Sequence, residues 1–536
     1  VGSDTSNSDP RPDDPERSSG EPPQTRRLGD VIRAALPADR FGDHLAILSG
    51  TGQNIVGLAV YVLATFGTNV LISRAFEPNG ASVLGVVTLA TQFAFVAGAA
   101  TRFGMDMAAV RRVAVDVGKG EPGRARAVVA RASAIAALAS AVGATAVLAG
   151  AEALSEAFGT GSAAVFRAAA LALPFVALCQ VYLGGTRGLK IMRHTLFIYW
   201  AGQPVAWIVI MLLTWPVAMS ASSTVVAYAV SWALATVAAW FVWERETRSF
   251  PRLPAEPGET AALLRYGAPR APAALLSQIL FWTDYFVASR YVTSAELGVY
   301  AAALRVAQAL MLFLVAVNYM FSPFVADLHA RGQRERLDEL YKALTRWMLA
   351  GTLPLLLLLL IAPGPVLSLF GSTFDTGSTA LRILLIGQLV NVGVGSVGFI
   401  LIMVGRTGWD LMVYAASFLL DLAVAVLLVP HFGVEGAAVA QTLTMVCSNT
   451  GRLYLVWRFV HIQPFDRHYA RLAIPAAACG AVMLAVHLIL RDGGWPADLV
   501  VTGLAGLLAY VPVLLVAGLT TGEKRALTTV FRRTLG

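Results

Sequence analysis

The chain reads as an all-α polytopic membrane protein of 14 transmembrane helices, in two pseudo-symmetric six-helix lobes followed by two C-terminal helices. Three observations predict this class: the composition, a succession of apolar segments of spanning length, and an internal repeat. Of 536 residues, 57% are hydrophobic and only 14% are charged, and the mean hydropathy is +0.65. An average soluble domain is about 25% charged, so the natural solvent of this sequence is a bilayer.

Residues 1–44 are rich in Pro, Ser and Asp and too polar to pack a core, which predicts a disordered cytoplasmic tail. Leu28–Leu36 within it has the pattern of a linker or of a short amphipathic turn. Nothing before the first apolar run has the form of a signal peptide, so that run is expected to remain as a helix. Crossing a hydrocarbon core of about 30 Å takes roughly 20 residues. Segments that meet this length lie near 46–75, 80–104, 128–155, 161–186, 194–217, 222–243, 270–292, 297–326, 343–369, 377–404, 410–430, 434–459, 470–490 and 497–519. Kinks are expected at Pro174, Pro204, Pro354 and Pro363. The predicted organisation is a tail (1–44), an N-terminal lobe (45–243), a cytoplasmic linker (244–269), a C-terminal lobe (270–460), and a last unit (461–536) with two helices and a cytoplasmic C-terminus.

The 41 Lys and Arg residues set the orientation. About 34 fall in the tail, the C-terminus and every second loop, which predicts that both ends are cytoplasmic. This accounts for the net charge of +8 without nucleic acid. Every loop is too short for an inserted catalytic domain, so a membrane glycosyltransferase or polymerase is disfavoured. The cysteines Cys179, Cys447 and Cys479 are isolated, and no His or Cys spacing fits a metal. Gly393–Gly398 satisfies GxGxxG but lies inside an apolar span, where close helix packing explains it. Gly184–Lys190 lacks P-loop spacing. No nucleotide, metal or cofactor is therefore expected, and transport would draw on ion or substrate gradients.

The repeat appears twice. Leu71-Ile72-Ser73-Arg74 with Leu84-Gly85-Val86 matches Val287-Ala288-Ser289-Arg290 with Leu297-Gly298-Val299, at offsets of 216 and 213. Phe158-Gly159-Thr160-Gly161-Ser162 with Arg167 matches Phe370-Gly371, Thr376-Gly377-Ser378 and Arg382 at nearly the same offset. Six spans separate the copies, so both have the same membrane orientation, and the interface between such halves is where transporters place substrate.

The stretch Gln278–Arg305 carries Gln278, Asp284, Arg290 and Arg305 in membrane-grade sequence. A charge at mid-span costs about 2.5–3.5 kcal/mol, so it normally faces a wet cavity or a partner. A turn at Thr293–Glu296 folds the stretch into two antiparallel helices, which puts Asp284 and Arg305 on the order of 12 Å inside the membrane, at matching depth. Two readings stand open for them: a structural ion pair, or a cavity role with or without that pairing. Further candidates for the cavity are Gln53, Asn54, Arg102, Asn318, Gln388, Asn391 and Asp421. Arg102 is near enough to its helix end to snorkel. Asp421 is near mid-membrane, where it is either a buried hydrogen-bonded acid or, with Asp284, an acid that couples a proton or sodium ion. Arg167 and Arg382 occupy corresponding outer positions, either as a basic collar or as snorkelling side chains.

The segments DYFVASRYVTSAELGVYAAALRVAQ, SLFGSTF and, at Leu427–Thr442, LLVPHFGVEGAAVAQT resemble the O-antigen-type polysaccharide flippases of the multidrug/oligosaccharidyl-lipid/polysaccharide exporter superfamily. The resemblance covers all the spans and excludes the tail. It implies a bacterial cell-membrane transporter in which two six-helix lobes flank a V-shaped cavity. It also implies a substrate, an undecaprenyl-diphosphate-linked glycan moved to the outer leaflet, with glycosyltransferases and a polysaccharide polymerase as candidate partners. On that reading Arg305, Asp284, Arg102, Arg167, Arg382, Asn318, Gln278 and Asn54 are candidates to meet substrate. A peptidoglycan-precursor (lipid II) flippase and a cation-coupled multidrug exporter of the same fold are the alternatives. Interior arginine suits an anion, and the first span holds no Asp or Glu to bind a cationic drug.

Overall fold

A computed structural model describes residues 60–251, 253–254, 257–490 and 493–519. The tail, the Leu28–Leu36 stretch, Gln53, Asn54 and the C-terminal end lie outside the described residues. The first helices are α1 (Val60–Ala75), α2 (Gly80–Thr101), α3 (Met105–Gly118), α4 (Pro122–Ala149) and α5 (Ala163–Gly188). Next come α6 (Thr195–Thr214) and α7 (Ala221–Glu246), then α8 (Glu259–Ile279), α9 (Thr283–Tyr291), α10 (Ser294–Ala309) and α11 (Met311–Ala330). The rest are α12 (Arg334–Ile361), α13 (Ser378–Val394), α14 (Val397–Met403), α15 (Thr407–Val460), α16 (Ala473–Leu490) and α17 (Trp495–Val513).

Local chemistry explains many of the boundaries. Pro122 opens α4 in the first turn, where its missing N–H costs nothing. Ser220 with Ser223, and Thr293 with Glu296, form reciprocal caps on α7 and α10. The second of these is the tight turn expected between Asp284 and Arg305. Pro174 and Pro354 lie inside helices, whereas Pro363 starts a separate short helix, so the ninth span ends at Ile361 and not near 369. α15 runs through both the eleventh and twelfth expected spans and reverses at Gly433, whose φ of 55° and ψ of −132° no helix accommodates.

Ten helices among the described residues are long and apolar enough to cross a membrane. The seventh and eighth expected spans are not among them, because each is interrupted: α8 breaks from α9 at Leu280–Trp282, and α10 from α11 at Leu310. The tenth expected span breaks at Gly395, where φ is 70°. There the Tyr341 hydroxyl donates to Val394 O (2.6 Å) and that of Tyr469 to Gly393 O (3.0 Å). The GxGxxG glycines therefore build a stapled helix break more than a packing face. Irregular backbone at membrane depth is tolerated only inside protein or along a wet cavity, so these breaks mark the interior of the C-terminal half. Leu138, Leu213, Leu427 and Leu508 stand exposed on the outside, as expected of a surface solvated by lipid.

The two repeat copies touch each other, a contact that the repeat by itself did not predict. α2 and α10 cross at their Leu-Gly-Val copies, so closely that a Cβ on Gly85 would lie 2.2 Å from Ser294 O and one on Gly298 would lie 1.8 Å from Ala81 O. The Tyr285 hydroxyl adds a bond to Gly85 O at 3.1 Å. The second repeat pair serves the same contact: Phe370 packs edge-to-face on Phe66 of α1 (5.0 Å), and Phe158 packs on Phe286 of α9 (5.9 Å).

Candidate functional site

The break before α9 creates the site. The backbone leaves the helical path at Trp282 (φ −135°), and the Ile279 carbonyl accepts both the Trp282 N–H at 2.9 Å and the Thr283 hydroxyl at 2.8 Å. Asp284 thereby falls in the first turn of a new helix, where the dipole favours negative charge. Its side chain is fully buried and accepts a hydrogen bond from the Tyr300 hydroxyl of α10. Beside it sits Asp421 of α15, 1% exposed. Asp421 accepts from the Thr444 hydroxyl at 3.4 Å, and the Asp284 backbone N–H points at its carboxylate.

Asp284 Oδ1 and Asp421 Oδ2 have no hydrogen-bond partner among the described residues. Two adjacent carboxylates in a dry interior cannot both hold full charge unless a proton or cation lies between them. No group of three or more His, Cys, Asp or Glu suited to a metal occurs among the described residues. The donor set is therefore two acids, a phenol and a threonine hydroxyl, which suits a proton or a monovalent ion.

Arg305 does not pair with Asp284, contrary to the ion-pair expectation. Matching depth said nothing of direction: Tyr300, which takes Asp284, is five residues from Arg305, or about 140° around the helix. The Arg305 guanidinium lies over the Trp282 ring, 5.1 Å from its centroid. Its one hydrogen bond is long, from Nη1 to Gln308 Oε1 at 3.3 Å, and its Nε has none among the described residues. The surrounding groups in electrostatic reach are the phenols Tyr61, Tyr285 and Tyr228, two of them from the N-terminal half. An arginine held over an aromatic face, with most of its donor fork unpaired and no carboxylate partner among the described residues, has donors left to offer an anion.

The other expected residues do not converge as closely. Arg102 ends α2 and pairs with Asp106 at 3.1 Å. Gln278 lies half-buried on the last turn of α8, next to the break, and Asn318 is buried on α11. Arg167 pairs with Glu152 at 2.9 Å on an exposed rim, and Arg382 donates to Leu360 O at 3.2 Å. Asn54 lies outside the described residues. Gln388 and Asn391 bond each other at 3.3 Å.

Residue-by-residue reading missed Tyr300, Thr444, Trp282 and Arg74. For Arg74 the repeat was the available signal. Its guanidinium crosses from α1 to the carbonyls of Ser368 and Leu369 (the latter at 3.0 Å), while Glu77 holds it from the side at 3.1 Å.

The family of polysaccharide biosynthesis proteins matches residues 80–378. The chain belongs to that family. Within the family's wider kinship, the chain is 25% identical over 242 residues to the probable flippase AglR of Haloferax volcanii, covering 44% of this chain and 50% of AglR. The chain thus spans about half the length of this curated relative. Among solved structures, the fold matches lipid II flippase MurJ in an inward closed conformation with a TM-score of 0.67 at 14% identity, over 90% of this chain and 98% of MurJ. It also matches an inward-facing multidrug resistance MATE family transporter of the MOP superfamily, with a TM-score of 0.60 at 13% identity, over 74% and 94% of the two chains. At such identities the likeness is one of fold: this family member is a membrane protein, helical throughout the described residues' regular structure, with a MurJ- and MATE-like fold.

Proposed function

We propose that the chain is a flippase that carries a polyprenyl-diphosphate-linked oligosaccharide from the inner to the outer leaflet of a bacterial cell membrane by alternating access. The observation that carries this reading is the half-buried Arg305 guanidinium, which lies near phenols of both halves and makes one long hydrogen bond among the described residues. A diphosphate offers that fork several acceptor oxygens and more charge than one carboxylate. A cation-coupled drug exporter would need acids free to meet its substrate, whereas Asp284 and Asp421 face each other. AglR, a probable flippase by name, supports the reading.

In this account fourteen spans form two six-helix lobes with two appended helices, and both termini are cytoplasmic. The interlocked outer ends of α2 and α10 and the Arg74 clasp correspond to the state closed toward the outside, in which Arg305 awaits substrate from the inner leaflet. Asp284 and Asp421 take up a proton or sodium ion. Because both sit at the helix break beside α10, their neutralisation alters the packing that positions Arg305, which couples the ion to the cycle. Arg167 and Arg382, whose partners are exposed or backbone, attract the arriving diphosphate at the outer rim. No nucleotide or nucleic acid takes part.

Deleting the gene and analysing lipid-linked glycans by mass spectrometry tests the reading. Accumulation of a polyprenyl-diphosphate glycan on the cytoplasmic side is expected, and its mass separates a polysaccharide unit from a peptidoglycan precursor. An unchanged lipid-linked glycan pool overturns the proposal.

A further inference from the structure

Near Arg305, which has Tyr61 and Tyr228 in its electrostatic reach, the N-terminal half presents a continuous run of touching aromatic rings. Tyr61 of α1 packs edge-to-face on Trp200 (4.8 Å), Trp200 on Tyr199 (5.0 Å), and Tyr199 on Trp232 (5.5 Å). Behind them Tyr228 packs on Trp232 and on Trp207. The rings form two layers. Tyr228 and Trp232 at the back are 6% and 3% exposed, whereas Tyr61, Tyr199 and Trp200 at the front are half-open. Tyr199 and Trp200 come from a π-helical opening turn of α6, Thr195–Gly202, a widened geometry that recurs at functional sites because it re-aims side chains.

Packing alone accounts for the back layer but not for the front. Neither the Tyr61 nor the Tyr199 hydroxyl has a hydrogen-bond partner among the described residues, and both side chains are only half-buried. Lipid does not explain the exposure of Tyr61, because its hydroxyl is in electrostatic reach of both Arg305 and Tyr199, inside the bundle. Open aromatic faces rimmed by unpaired hydroxyls, next to an anion-binding arginine, match the chemistry of a pyranose ring. Its axial C–H groups lie on an aromatic face while its hydroxyls bond to phenol oxygens.

We propose that Tyr61, Tyr199 and Trp200 form a saccharide subsite that stacks the sugar attached to the diphosphate held by Arg305. This rests on the flippase reading and adds to it a division of labour: the C-terminal half holds the charge and the N-terminal half reads the sugar. Closure of the halves around both groups makes recognition depend on the two together.

The test compares two probes on the purified full chain: polyprenyl diphosphate, and the same lipid bearing one N-acetylglucosamine. In the parent protein the sugar is expected to tighten binding about tenfold. Tyr61→Ala and Trp200→Ala should erase that advantage, and Trp200→Ala should leave affinity for the bare diphosphate unchanged, which also reports that this variant is folded. Tyr61→Phe, which keeps the ring, should retain most of it. Equal affinity of the parent for both probes, or a sugar advantage that survives in both alanine variants, overturns the subsite. Arg305→Gln tests the underlying reading separately, since it should weaken both probes alike. Undiminished binding of bare diphosphate to Arg305→Gln would count against the diphosphate reading and not against the sugar subsite.

Discussion

Adding one methyl group at Gly298 should push the protein toward its outward-open state. The new Cβ would lie 1.8 Å from Ala81 O, where ordinary contact begins at 3.4 Å. The obstacle is backbone and cannot rotate aside, so α2 and α10 must separate by about 1.5 Å. Overpacking of this kind costs about 1–3 kcal/mol, and it penalises only the state in which the two glycines touch. A penalty of about 1.4 kcal/mol shifts the balance tenfold. Thr88, on α2 just behind the crossing and 4% exposed, gives the readout. In a background where Cys179, Cys447 and Cys479 are replaced, a Thr88→Cys variant should react slowly with a membrane-impermeant maleimide added outside. Adding Gly298→Ala should speed that reaction about tenfold, and Gly85→Ala, 2.2 Å from Ser294 O, should do the same. An unchanged rate at normal protein abundance would refute the idea that this crossing is the outer seal.

Three further outcomes follow from the same geometry. Arg74→Gln removes charge-assisted bonds to Ser368 and Leu369 and should speed Thr88→Cys labelling a few-fold; since Arg74 is partly exposed, an effect larger than that of Gly298→Ala would contradict the assignment. Asp421→Asn and Asp284→Asn should each abolish the dependence of transport on a proton or sodium gradient while substrate binding survives, and gradient-dependent transport in either variant would remove the acids from coupling. Replacing Arg167 and Arg382 together with Gln should slow export without lowering protein level, and unchanged export would leave them as lipid anchors.

Much of this organisation was legible because hydropathy and turn chemistry are local. The apolar runs gave ten spanning helices among the described residues, and Thr293 with Glu296 gave the turn between α9 and α10. The repeat proved informative in an unforeseen way: both Leu-Gly-Val copies occur where two backbones touch, a demand that only glycine meets. What stayed hidden was azimuth. Depth could be counted along α9 and α10, but which carboxylate Asp284 would face depends on how α15 packs against them, and Asp421 lies more than a hundred residues away. The break at Leu280–Trp282 was equally silent, since neither Gly nor Pro marks it. Tyr300 and Tyr61 read as ordinary apolar-span aromatics until their hydroxyls could be followed to a carboxylate or to open space.

The central claim is that Arg305 receives a diphosphate and is not half of an ion pair. Purified protein in liposomes, given a polyprenyl-diphosphate sugar on one face, allows its transfer to be measured with a sugar-modifying enzyme added outside. The account predicts that Arg305→Ala abolishes transfer, that Arg305→Lys retains part of it because charge remains without the planar fork, and that the Arg305→Ala/Asp284→Ala double variant stays inactive. Transfer restored in the double variant, or undiminished in Arg305→Ala, would contradict it.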